Sequence, residues 1–419
     1  MALTDITTDS RLIDITDQPG NFAVLHTQTT FAGVSLNRDF SNLPKTLQYG
    51  DALRMRVSAQ SKVRAARDFF RTYTEETAQQ AARSRLLPQE IARRLTQLGY
   101  DEVEAGAQAA LMVTASGMLI DDTSPNRTRA IAYVPAQAPA HLADLGAETW
   151  DDTTDLRDLM QKAIDKARAK SARNGSNADT ETEEEGSSGG RRSTDKGLKA
   201  PDGTPATLRK RAQAALAPGT TVELAIFGRM LAELPDGALY SAAQVAHALS
   251  IDPIAMVSDD WTAKDDWQDL GVFGAAGKGT TFLASGTLYQ YAALDRRALR
   301  RQLAQSAPAE EAEHLARLGE QLFLTALAYA IPSSARSRTG SAVPPGLVIA
   351  ATTDHPLTAA ACFEQSIQPP AAVAGAERLA GYLRRAQRHT PLLGGTARWL
   401  SPAGESCPEL PPTLTPEDD

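Results

Sequence analysis

One stretch without large apolar side chains sets the first limit on the fold. Residues 171–205, SARNGSNADTETEEEGSSGGRRSTDKGLKAPDGTP, hold only Leu198 of that kind. Such a segment cannot bury enough apolar surface to offset the entropy of ordering it, so disorder is expected across it. The core must then be assembled from sequence on both sides. The chain has 419 residues, 42% of them hydrophobic, which is enough for two or three domains with a sizeable core. No apolar run is long enough to span a bilayer, so no membrane partner is expected. The start, MALTDITTDSRLIDITDQ, lacks the basic head and apolar centre of a secretory signal. Cys362, in the apolar run AAACFEQ, and Cys407, in a Pro-rich tail, are the only cysteines. A disulfide framework is not expected, and a reducing cytoplasm fits.

Patterning along the chain points to an α+β fold. FAVLHTQTTFAGVSL (22–36) is rich in Phe, Val and Thr and reads as a strand. NRDFSNLPKTLQYGD reads as a loop, RMRVS as a short strand, and Ser58 as the cap of a helix. LLPQEIARRLTQLGY is helical, with Pro88 near its start and Gly99 past its end. EAGAQAALMVTA and DTTDLRDLMQKAIDKARAK extend the helical block, and TRAIAYV (128–134) between them reads as a strand. After the gap, YSAAQVAHAL (240–249) suggests a short helix and 251–286 an irregular acidic extension. ASGTLYQYAAL is a strand, and a long helix runs from Pro308 to Ile331. GLVIAATT (346–353) is a strand, PLTAAACFEQSI a helix, and the residues after about 390 a tail.

Charge is distributed unevenly. The chain carries 43 Lys and Arg against 51 Asp and Glu, a formal net charge of −8. Yet RMRVSAQSKVRAAR (54–67) holds five basic residues and no acid, and residues 38–73 hold eight basic residues against Asp39, Asp51 and Asp68. At 3.6 residues per turn, Gln60, Arg64, Arg67 and Arg71 fall on one helix face, beside an apolar stripe of Val63, Ala66, Phe70 and Tyr73. The ridge lacks the alternating Glu and Lys of an ordinary solvated helix. Arg38, Lys45, Arg54 and Arg56 add cations from the preceding loop and strand. A local groove for one nucleic-acid strand fits this tract; a solvated helix face is the alternative. The tract has no aromatic platform for stacking bases, so contacts to the sugar-phosphate backbone and tolerance of sequence are expected.

Other motifs fail or stay open. GVFGAAGKGTTF (271–282) breaks the Walker pattern, because Gly279 follows Lys278. The six histidines are scattered without metal spacing, and no cofactor or metal is expected. There is no G-x-S-x-G elbow. Asp39 is either a general base or metal ligand, or an acid that orients neighbouring arginines. In FGRM (227–230), Gly228 would permit close backbone approach, Arg229 a phosphate fork, and Met230 either a wedge against a base or a core contact.

Five phrases in order carry a family resemblance: LNRD (36–39), RMRVSAQSKVRAAR, VELAIFGRM, SDDWTAKDDW (258–267) and ASGTLYQYA (284–292). Together they resemble the CasC-type backbone subunit of Cascade, the type I-E CRISPR surveillance complex. The resemblance spans roughly residues 22–367, apart from an insertion near 168–207. It implies an RRM-like, ferredoxin-like palm in three parts (22–58, 220–250 and 287–390), a helical finger insertion (59–219) and an extended thumb (251–286). An N-terminal extension (1–21) and a C-terminal tail (391–419) would flank them. It implies a non-enzymatic subunit that binds guide RNA (crRNA), stacks with further copies of itself and joins other Cascade subunits. The guide is left open for pairing with target DNA. Carried over by position, Arg38 and Lys45 match loop contacts to the guide, and Ser58, Gln60, Lys62, Arg64 and Arg67 match the strand-to-helix cradle. Met230 matches a residue packed on guide bases. Trp261 and Trp267 fall in the thumb, where a neighbouring subunit would dock. Ala52, Leu53 and Val63 depart from the basic residues of some relatives. Two rivals are an RNA-cleaving backbone subunit using Asp39 and a monomeric single-strand RNA-binding module.

Overall fold

The computed structural model describes residues 12–73, 80–175, 197–229, 238–263, 277–332, 334, 336–389 and 397–400. The chain divides into two compact units, one formed by Met1–Glu75 with Ala242–Asp419 and the other by Glu76–Ser241. The first unit opens with β1 (Phe22–Val34), the hairpin β2 (Thr46–Tyr49) and β3 (Ala52–Val57), and helix α1 (Ala59–Tyr73). The second contains β4 (Ala81–Ser84), α2 (Leu87–Gln97), α3 (Glu102–Ala115), β5 (Ala132–Pro135), α4 (Ala138–Glu148), α5 (Thr154–Gly175), α6 (Ala206–Ala215) and α7 (Val222–Phe227). The chain then returns to the first unit through β6 (Ala243–Val245), β7 (Ala248–Ser250), β8 (Ala255–Ala263) and β9 (Gly277–Asp295). It ends with α8 (Arg296–Leu303), α9 (Ala309–Tyr329), α10 (Arg336–Thr339), β10 (Leu347–Thr353), α11 (Ala372–His389) and β11 (Ala397–Leu400).

The sheet unit is antiparallel, in the order β11-β10-β1-β9-β7-β3-β2, with β6 and β8 also paired to β9. Strand β1 is central and buried on both sides, as its Val, Phe and Thr content allows; Val24 lies between Ala351 and Ala293. On one side α1 and α9 pack together, with Ala66 and Phe70 buried. On the other, Val24, Tyr289, Tyr291 and Ile349 are covered by Phe363, Ile367, Ala371 and Leu379. Gly375 approaches so closely that a Cβ there would lie 2.2 Å from Ile251 Cδ1. Residues before β1 belong to this core. Arg296 donates to the carbonyls of Thr16, Gln18 and Gly20, and its Nε pairs with Glu320 at 2.8 Å.

The helical unit buries Ile91, Leu95, Leu111, Met112 and Leu142 in one cluster. Pro88 starts α2, and Gly99 follows it with φ of 99°. The carboxylate of Asp101 caps α3 by accepting from the amides of Val103 and Glu104. Glu223 fastens α7 to the small β4–β5 sheet: its Oε2 accepts from the Ala81 amide at 2.8 Å and its Oε1 from the Tyr133 hydroxyl at 3.0 Å.

Several expectations are corrected. Residues 240–249 form β6 and β7, not a helix, because pairing with β9 overrides their Ala-rich helical pattern. The described part of the extension at 251–286 is not irregular: β8 pairs with β9 from Ala255–Ser285 to Ala263–Gly277, and residues 264–276 lie outside the described ones. The helix expected from Pro356 shrinks to a 3₁₀ turn at Ala360–Phe363. The tail contains β11, which pairs with β10. Helix α1, expected to open the helical insertion, lies in the sheet unit. Disorder across 171–205 fails at both ends: α5 continues to Gly175, and Leu198 exchanges two backbone hydrogen bonds with Ile120. Residues 176–196 lie outside the described ones.

Candidate nucleic-acid interface

The loop from Asn37 to Lys45 is rigidly tied. Asp39 Oδ1 accepts from the amides of Ser41 and Leu43, and the Asp39 amide donates to the Leu43 carbonyl. Asn42 takes the left-handed conformation inside this turn, with φ of 61°. The Asp39 carboxylate therefore orders its own loop through backbone contacts. Arg38 bridges to Pro44 through the backbone and keeps its side chain exposed. The Lys45 amide donates to the Asn37 carbonyl, and the Lys45 carbonyl accepts from Arg56, each at 2.8 Å. Asn37 Oδ1 accepts from the Ser58 amide at 3.1 Å. These bonds gather the loop, the end of β3 and the start of α1 into one frame. Ser58 caps the helix as expected, its Oγ accepting from the Ser61 amide at 3.3 Å.

The expected cations fall into two groups. Arg38, Gln60, Arg64 and Arg71 are exposed, and Lys45 and Arg56 half-buried. Arg56 Nε is buried and finds no hydrogen-bond partner among the described residues. The ridge is not free of acid. Asp68 takes Arg64 Nε on one oxygen at 3.1 Å and Arg71 Nη1 on the other at 3.0 Å. Asp68, one of the three acids in the tract, thus ties the ridge together, although exposed ion pairs of this kind contribute only about 0–1 kcal/mol and a phosphate can displace them. Beside them a surface groove of about 730 Å³ runs along α1, lined by Asn37, Ser61, Arg64, Phe69, Tyr329 and Val343 among others.

The second group has been absorbed by the fold. Arg54 is fully buried and donates to the carbonyls of Tyr49, Ser250, Ile251, Phe363 and Glu364 and to the Asp51 carboxylate. It shares a strand face with Arg56, and it is Arg54 that bonds to the 363–364 carbonyls. Gly50, in the hairpin turn beside it, has φ of 57° and sits where a Cβ would strike the Glu364 carbonyl. Lys62 is buried, and its ammonium donates to the Ala330 carbonyl at 2.8 Å. Burial pushes its pKa down to about 8. Arg67 is also buried, on the inner flank of α1. None of these three can serve as an open phosphate ligand.

The FGRM phrase lies in the helical unit, whereas the basic tract lies in the sheet unit. Gly228 does permit close approach, but to its own chain: a Cβ would lie 2.6 Å from the Ser241 amide. Arg229 is buried, exchanges two backbone bonds with Leu239 and donates to the Leu216 carbonyl. The phosphate fork expected there is corrected to a fold contact. Met230 and Trp267 lie outside the described residues. Trp261 packs on its strand partner Gly279, at which a Cβ would lie 2.6 Å from the indole, yet it remains 46% exposed.

One side chain escaped the sequence reading. His247, placed in a supposed helix, sits between β6 and β7, and its Nδ1 accepts from the Ala59 amide at 2.9 Å. Partial burial, then the nearby charges of Arg56 and Lys45, lower its pKa. Only the pairing of β3 with β7 brings it to the start of α1, and no local pattern signals that. Among the described residues, no three His, Cys, Asp or Glu side chains cluster as a metal site, and no helix is long and apolar enough to cross a membrane.

Comparison with known proteins follows the same geometry. The chain is similar to a chain of a solved structure described as "CRISPR RNA-guided surveillance complex, pre-nicking", with 26% identity and a TM-score of 0.69. That match covers 92% of this chain and 93% of the other. A second structure, described as "CRISPR RNA-guided surveillance complex", matches with 24% identity and a TM-score of 0.61 over the same shares, and supports the fold alone. No curated protein matches the chain. The family model described as CT1975-like protein matches residues 24–406, and on this extent the chain belongs to the CT1975-like protein family.

Proposed function

We propose that this protein is a guide-RNA-binding backbone subunit of a CRISPR surveillance complex, of the type I-E Cascade kind. The observation that carries the reading is the match, over nearly the whole chain, to a chain of such a complex. Arg38, Lys45, Arg56, Gln60, Arg64 and Arg71, gathered from a clamped loop, a strand end and one helix on an acidic chain, support a groove for one RNA strand. The order β10-β1-β9-β7, with α1 and α9 on one side, supports an RRM-like palm. The helical unit then serves as finger and the β8–β9 ribbon as thumb. Further copies stack along the guide, other subunits of the complex cap it, and target DNA is reached through guide pairing. The backbone bonds that engage Asp39 favour loop ordering over cleavage, and the subunit is read as non-enzymatic and cytoplasmic.

Sequencing the small RNA that copurifies with the protein, expressed with its own repeat-spacer array, tests this reading. Repeat-derived ends and a protein mass growing with RNA length are expected. Random RNA, or one protein per strand at every length, would replace the filament reading with a monomeric module. Metal-dependent cleavage of a paired target RNA that is lost on Asp39→Ala would establish the nuclease.

A further inference from the structure

We infer that His247 is a further residue of the groove, a neutral hydrogen-bond donor that presents its Nε2–H to a phosphate oxygen held beside Lys45 and Arg56. The inference rests on the reading that the groove holds single-stranded RNA. An amide can only donate, so the bond from Ala59 makes Nδ1 an acceptor and leaves the ring proton on Nε2. The ring is exposed. Strand pairing explains its position: Val57 faces Ala248 and Arg56 faces Leu249, so His247 lies one step beyond, at the start of α1. On the far side of β3, the Lys45 carbonyl accepts from the Arg56 amide, so Lys45 and His247 flank Arg56 from opposite strands. Among the described residues, the charged groups that act on the imidazole are those two cations. Three separate segments of chain thus bring Lys45, Arg56 and His247 to one place, with no carboxylate ion-paired to either cation among the described residues, and a phosphate oxygen at the exposed ring would accept from its Nε2–H. The cations also resist a second proton on the ring, so His247 contributes a directed bond and no net charge.

Full-length His247→Asn tests this with a short fluorescein-labelled single-stranded RNA. Asparagine still offers an oxygen to the Ala59 amide but cannot place a donor at Nε2. Affinity should fall roughly tenfold, the loss of one hydrogen bond to a charged group. The dependence of affinity on salt at pH 7.5 should not change, because no counterion-releasing charge is lost. Lys45→Ala should instead reduce that dependence, by about 0.7 in the log-log slope. Unchanged affinity in His247→Asn, with the Lys45→Ala effect intact, overturns the inference and leaves the groove standing. A smaller salt slope in His247→Asn overturns the neutral-donor assignment. If neither variant changes binding, the groove itself is misplaced. In the unaltered protein, ¹⁵N-histidine NMR should report the Nε2–H tautomer and a shift of that signal when RNA is added. Absence of the tautomer or of the shift also overturns the proposal, whatever the folding of the variants.

Discussion

The ammonium of Lys62 closes the end of α9 by donating to the carbonyl of Ala330. A cation at a helix C-terminus is favourable, but burial holds this pKa at about 8 against an ordinary 10.5. Between those values the unfolded chain binds more protons than the folded one, so stability rises with pH through that window. Below about pH 8 the charged, buried ammonium costs the fold roughly 3 kcal/mol of stability that returns above 10.5. Lys62→Met should abolish this rise. Denaturant midpoints from pH 7.5 to 10.5 should converge between variant and parent as pH climbs if the parent gains and the variant does not. Parallel curves would show that Lys62 is not buried as a cation.

Asp68 ion-pairs with both Arg64 and Arg71, so on the proposed reading it competes with RNA for them. Asp68→Asn should tighten binding to short single-stranded RNA several-fold and leave stability within about 0.5 kcal/mol. Arg64→Ala with Arg71→Ala should weaken binding for every sequence alike and lower the salt slope by about 1.4, two contacts' worth. Arg67 is left intact in this pair because its burial would confound folding with binding. Fluorescence anisotropy over a salt series reads both effects, and an unchanged slope in the double variant places the strand elsewhere.

The limits of the insertion make a sharp contrast. Joining residue 176 to 196 through a short flexible linker should change the melting temperature little, since closure entropy depends weakly on length. Extending the deletion through Leu198 and Lys199 removes both backbone bonds to Ile120 and should destabilise the helical unit by about 1–3 kcal/mol. Equal melting of the two deletions would show that this bridge contributes nothing.

Trp261 gives the ribbon a half-exposed indole resting on Gly279. On the proposed reading Trp261→Ser leaves a folded monomer that still binds short RNA but does not form regular filaments on long guide RNA. Gly279→Val, which displaces the indole without removing it, should impair assembly in part. Light scattering with a nuclease footprint separates the cases, and regular filaments in both variants would rule out the ribbon as the contact between subunits.

Long, strongly patterned elements were legible in the sequence: β1 from its Val, Phe and Thr, α1 from its capping serine and apolar stripe, α9 after Pro308, and β10. Elements that exist only through pairing were not. AAQVAHAL has helical local preference, and it becomes β6 and β7 because β9 offers free backbone partners. The site was half legible for the same reason. Helix spacing located Arg64 and Arg71, but nothing local says that the 363–364 carbonyls draw Arg54 into the fold. The Asp68 fork is written in the i, i+4 and i, i+3 spacing of Arg64, Asp68 and Arg71. His247 meets Ala59 across 188 positions, a separation no window captures.

Closure of the sheet on its second side has a consequence of another kind. An open sheet of this order reads RNA by stacking bases on its aromatic residues. Here the rings of Tyr289 and Phe363 lie 5.0 Å apart, and Tyr291 shares the same covered layer. A bound strand is left with charged tips and main-chain contacts, which respond to the regular spacing of phosphates and not to the letters between them. On the proposed reading the carrier is blind to its text. A newly acquired spacer would be threaded as readily as an old one, and the immune memory could be rewritten without altering the protein that holds it.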